Sequence, residues 1–147
     1  MIGIERVGVL RTAVFRRQHE ELAQSVADIT ALLDAAELAK DASIVSGHLS
    51  ILSGKLTVHL AMEDKGLYPR LARHASRPVR DLAQRFMSEM GSIHDVFRDY
   101  LARWRDPAQI QRQAQSFVEE TKGLLAALTQ RIAREDNELY PMVDREG

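Results

Sequence analysis

Apolar residues in this chain recur at intervals of three and four, the spacing that lays them along one face of an α-helix. From Phe15 the positions Leu22, Val26, Ile29 and Leu33 follow that rule, with His19 on the same stripe. A second stripe runs through Val45, Leu49, Leu52, Leu56, His59 and Glu63. A third uses Leu82, Phe86, Met90, Ile93, Phe97 and Leu101, with His94 next to its centre, and a fourth uses Phe117, Leu124, Leu128, Arg131 and Glu135. No stretch carries a strand signal. Four amphipathic helices and no strands predict an all-α fold, an antiparallel up-and-down four-helix bundle.

Polar punctuation agrees with this division. Asp41 is placed to cap the second helix, Ser76 or Arg77 with Pro78 marks the entrance to the third, and Asp106-Pro107 has the residues of a helix start. Pro69 and Pro141 are expected to close helices two and four, because proline pushes its predecessor out of the helical region. In an up-and-down bundle, two residues at one level lie equally far from the turn that joins their helices. His19 and His59 straddle position 39, and His59 and His94 straddle a point beside Ser76 to Pro78, so both pairs centre on predicted turns. His94 and Arg131 instead centre near Arg112, several residues past the Asp106-Pro107 signal. A short turn of helix at Pro107 to Gln111, lying across the bundle end, reconciles the two.

Composition narrows the class. A chain of 147 residues, 45% hydrophobic and 28% charged, has the size and make-up of one globular domain, here taken as residues 1–147. With 20 basic against 21 acidic residues and no basic stripe, no nucleic-acid partner is expected. Cysteine is absent, which excludes disulfides and thiolate ligands and leaves nitrogen and oxygen to hold any metal. Glu5 and Arg6 interrupt what would be the apolar core of a signal peptide, and no run approaches a membrane span, so no membrane partner and a cytoplasmic location are expected.

The candidate chemistry lies in a repeat. His59 to Leu71 reads HLAMEDKGLYPRL and Arg131 to Val143 reads RIAREDNELYPMV, identical at six of thirteen positions. A residue and its fourth helical neighbour lie on one face, so His59 and Glu63 project towards one point, as do Arg131 and Glu135. His19 and His94 precede the two copies by 40 and 37 residues, each adding one imidazole from the intervening helix.

One His, then H-x-x-x-E, then one His, then x-x-x-x-E before L-Y-P resembles the hemerythrin-like family, the HHE cation-binding domains, over essentially the whole chain. Ferritin-like bundles, the main rival, carry E-x-x-H pairs of opposite order and different spacing. The resemblance implies a non-haem diiron centre that binds or senses oxygen, peroxide or nitric oxide, with at most weak peroxidase-like or catalase-like turnover. It carries over residue by residue to His19, His59, Glu63, His94 and Glu135, with Glu63 and Glu135 as bridges and a small diatomic or peroxide ligand as partner.

The chain departs from the pattern at Arg131, where the remaining family histidine would stand; a guanidinium cannot coordinate a metal. Three outcomes are open. The second iron is weakly held or absent, leaving one iron on His19, His59 and one carboxylate; Arg131 swings away and water fills its place; or Arg131 forks onto Glu63 or Glu135 and neutralises them without metal. The last would make the chain a metal-free interaction or regulatory module. Among the remaining candidates, His48 and His74 read as structural and surface residues, and Trp104, Met62, Met90 and Met142 as packing. Arg16, Arg17, Glu20 and Glu21 read as a solvated face, and Tyr68 and Tyr140 as packing that stops each helix, in preference to hydrogen bonding at the site.

Overall fold

A computed structural model describes residues 2–146, with side chains described except those of 2–11 and 90–92, so Met90 lies outside the described side chains. Among the described residues there is no strand. The elements are α1 (Ile2–Thr30), α2 (Ala35–Lys40), α3 (Ser43–Met62), a π turn (Glu63–Leu67), α4 (Tyr68–Leu71), α5 (Arg77–Trp104), α6 (Pro107–Arg112), α7 (Ala114–Arg134), a second π turn (Glu135–Leu139) and α8 (Tyr140–Glu146). This is the all-α bundle the stripes predict. α1 packs on α3, α7 and α8, while α5 packs on α4, α7 and α8.

The inward faces match the stripes closely at three helices. Phe15, Leu22 and Ile29 of α1 are buried, as are Val45, Leu49, Leu52 and Leu56 of α3 and Phe117, Val118, Leu125 and Leu128 of α7. On α5 the buried line is Val79, Ala83, Phe86, Phe97, Tyr100 and Trp104, with Leu82 and Leu101 only partly covered. Trp104 packs edge-on against Phe117 at the end of the bundle away from the histidines.

The bundle end between α5 and α7 is closed as expected: α6 is a short helix that starts at Pro107, with the Asp106 carboxylate accepting the Ala108 N–H. It packs on α2, where Gln111 Nε2 donates to the Lys40 carbonyl. The stripes did not reveal α2. Its signal was nonetheless present, since Asp34 caps it by accepting from the N–H groups of Ala36 and Glu37, and such caps contribute about 1 kcal/mol. Asp41 likewise accepts the Ser43 N–H at the start of α3.

The prolines do something other than close helices. Pro69 and Pro141 sit in the first turn of α4 and α8, and the helical path continues through both repeats. A proline ring collides with the carbonyl four residues back and offers no N–H. The chain relieves this by widening: Tyr68 N–H donates to the Glu63 carbonyl and Tyr140 N–H to the Glu135 carbonyl, five residues back in each case. π turns of this kind are single-turn widenings inside α-helices. At 100° per residue an unbroken α-helix would put Tyr68 about 140° round from Glu63. The extra residue in the turn brings glutamate and tyrosine to the same inward face, and all four side chains are buried.

Candidate metal centre

Two helices and both π turns deliver side chains to one buried point. His19 of α1, His59 at the end of α3, Glu63 at the start of the first π turn and Glu135 at the start of the second are buried together, each offering a ligand atom within 4.8 Å of the others. His19 Nε2 lies 3.1 Å from His59 Nε2 and 3.0 Å from Glu135 Oε1. His59 Nε2 lies 2.6 Å from Glu63 Oε1.

The outer nitrogens of both rings are committed elsewhere. His19 Nδ1 is 2.8 Å from Asp136 Oδ1, and His59 Nδ1 is 2.7 Å from Gln18 Oε1. Both partners accept, so each ring donates its Nδ1–H outwards and turns the Nε2 lone pair inwards, the arrangement that orients metal-binding imidazoles. Two Nε2 atoms 3.1 Å apart need a proton or a metal cation between them. Gln18 is itself oriented by its Nε2–H, which faces the Met62 sulfur at 3.0 Å. Neither Gln18 nor Asp136 was singled out in the sequence. Asp136 could have been, because the Glu-Asp pair occurs in both copies of the repeat.

Both oxygens of Glu63 are buried and neither makes a hydrogen bond of good geometry, although Oε1 lies 2.6 Å from His59 Nε2. Leaving a carboxylate in that state is costly unless a cation or proton meets it. Burial, and next the adjacent Glu135 carboxylate, push the Glu63 carboxyl well up. Burial works against ionised Glu135 too, but the facing Glu63 and imidazole groups outweigh it and hold this carboxyl below its ordinary range. Burial likewise favours neutral His59, yet Glu135 and Glu63 outweigh it and push the imidazole up to about 9. The pocket is thus built for positive charge, and two nitrogens with two carboxylates suit a borderline or hard transition-metal ion. The donors present fit a metal.

Both tyrosines of the repeat belong to this site, contrary to the reading of them as packing alone. Tyr68 O–H donates to Glu135 Oε2 at 2.8 Å, and Tyr140 O–H stands 3.2 Å from His19 Nε2. Burial raises both phenols, so they remain donors. Arg16, read as solvated, also reaches inwards, with Nη1 donating to the Asp136 carbonyl and its guanidinium over the Tyr140 ring.

The second half of the repeat builds a different environment. Arg131 is buried; its Nη2 donates to the Phe86 carbonyl at 2.8 Å and to Tyr68 Oη at 3.3 Å, and the guanidinium lies over the Phe86 ring. Its Nη1 is 3.6 Å from Glu89, a carboxylate that also bonds Arg134. His94 does not join the buried group: its side chain is 54% exposed and its Nε2 lies 3.9 Å from Asp64 Oδ2. At 100° per residue His94 is about 60° from Phe97 and about 80° from Phe86, which leaves it on the flank of the buried line of α5. The His94–Asp64 pair is the open counterpart of the closed His19–Asp136 pair. His74, read as a surface residue, ties the α4–α5 loop to the Glu146 carbonyl.

The model of the hemerythrin HHE cation-binding domain matches residues 11–143. This chain belongs to the hemerythrin HHE family. Searches of curated proteins and of solved structures gave no match. Within the HHE domain matched here, the buried histidine and glutamate cluster fits a metal site, and no helix among the described residues is long and apolar enough to cross a membrane.

Proposed function

We propose that this HHE protein is a non-haem iron protein that binds or senses a small diatomic or peroxide ligand. His19, His59, Glu63 and Glu135 would hold the metal. The observation that carries this reading is the pair of inward Nε2 atoms, fixed by Asp136 and Gln18, within 4.8 Å of two buried carboxylates. Iron bound there supplies a redox-active Lewis acid. The chain's own part is to aim two imidazoles inwards by Nε2, to keep Glu135 ionised, and to offer two phenolic donors in a buried space. Any turnover at the metal would be weak and peroxidase-like or catalase-like.

The metal-free alternative has less support. It needs Arg131 to fork onto the glutamates, but the guanidinium hydrogen-bonds the Phe86 carbonyl and Tyr68, and its Nε stands 4.0 Å from Glu135.

Protein purified without chelators and then given ferrous iron anaerobically should retain iron through desalting and absorb in the near ultraviolet after oxidation. Azide or nitric oxide should shift that absorption. Failure to hold any transition metal would reject the reading, and metal without a ligand-dependent spectrum would reject the small-ligand part of it.

A further inference from the structure

We infer that Arg131 is a built-in cation standing in place of a second metal, so that the centre holds one metal ion per chain. This rests on the metal reading above and fixes its stoichiometry. The repeat sets up the comparison: His59 corresponds to Arg131, Glu63 to Glu135, Asp64 to Asp136 and Tyr68 to Tyr140. A second metal on the Arg131 side would need nitrogen donors from that half, and the two candidate positions supply none. Arg131 cannot ligate, and His94 is 54% exposed beside Asp64.

Arg131 is also not free to leave. It is 5% exposed, and a mid-helix carbonyl, a phenol and an aromatic face hold it in place. Its Nε is buried without a hydrogen bond and lies 4.0 Å from Glu135 Oε2, within ion-pair range. Glu135 is therefore divided between two kinds of positive charge. Oε1 faces the imidazoles, while Oε2 takes the Tyr68 hydroxyl and lies on the guanidinium side.

The outer contacts are divided in the same way. The residue before His19 is Gln18, which orients His59; the residue before His94 is Ile93, which has no acceptor to orient anything at position 131. A guanidinium has no tautomer to set and needs no such partner. One half of the duplicated unit is thus equipped with every element of an imidazole site, and the other half with every element of a buried arginine site.

The test counts metal and follows stability. Apo wild-type protein titrated anaerobically with Fe(II), then desalted, should retain about one equivalent. Two equivalents would overturn the inference and leave the metal reading standing; none would overturn the metal reading itself. Arg131→Met removes the charge at similar volume, so the apo variant should melt below apo wild type and gain more from Fe(II) than wild type does. Arg131→Lys keeps the charge and should retain one equivalent with a gain close to that of wild type. Equal apo stability and equal metal-induced gain in Arg131→Met and wild type would overturn the role of Arg131 as an internal cation. Should Arg131→Met fail to fold without metal, refolding with Fe(II) present should recover it, and failure there too would count against the inference.

Discussion

At the scale of single residues, the four side chains with ligand atoms are set by neighbours that touch no metal. Gln18 and Asp136 each accept the Nδ1–H of a ring and so hold a proton on Nδ1 that would otherwise be free to sit on Nε2. Gln18→Leu leaves the His59 ring without that acceptor, and metal affinity should fall roughly 10- to 100-fold, the usual cost of losing such a partner. Asp136→Asn still accepts through its amide oxygen and should lose less. Competition with a chromophoric chelator measures both. Equal affinities across wild type and the two variants would mean that packing alone orients the rings; Phe15, edge-on to His59, and Tyr140, stacked on His19, are the groups that could do so.

Among the elements, the π turns decide what faces the site. An unbroken α-helical count through Glu63 and Glu135 puts the following tyrosines off the inward face, so the reading of L-Y-P as packing that stops each helix missed their contacts with the site. The prolines were visible, but their effect depends on whether the chain ends its helix or widens it, and buried Leu71 and Val143 beyond them favour continuation. Pro141→Ala restores an N–H and removes the clash, so the segment can close as α-helix and turn Tyr140 away from His19. Metal affinity should then fall while helix content by circular dichroism holds or rises slightly. Unchanged affinity would show that packing, not proline, holds the wide turn. At α5 the sequence fails for another reason: level arithmetic treats helices as rods and cannot tell the centre of a stripe from its flank, and His94 lies on the flank.

For the whole molecule, the fold was legible because burial follows the three-and-four spacing from Phe15 to Leu128, and even α6 followed from a disagreement between a cap signal and a midpoint. The buried cluster was legible too, since His19, His59, Glu63 and Glu135 all lie on the predicted stripes, while His94 stays outside it. What the sequence could not show is that His94 stays outside the buried group, because its place on the flank of α5 depends on how that helix is packed. The tyrosine contacts carry a further consequence. Tyr68 of the first copy bonds Glu135 of the second, and Tyr140 of the second reaches His19 in the first helix, so the site is stitched across separations of 67 and 121 residues. Contacts of such long range form only after the loop-closure entropy of the intervening chain has been overcome. The helices, by contrast, are local. On gentle heating or in dilute denaturant, metal should therefore become accessible to a chelator before helical circular dichroism declines, and coincident loss of the two signals would show that the site opens only with the bundle. A bound metal in this protein then acts as a clasp on chain topology, reporting whether the first helix and the last are still held together.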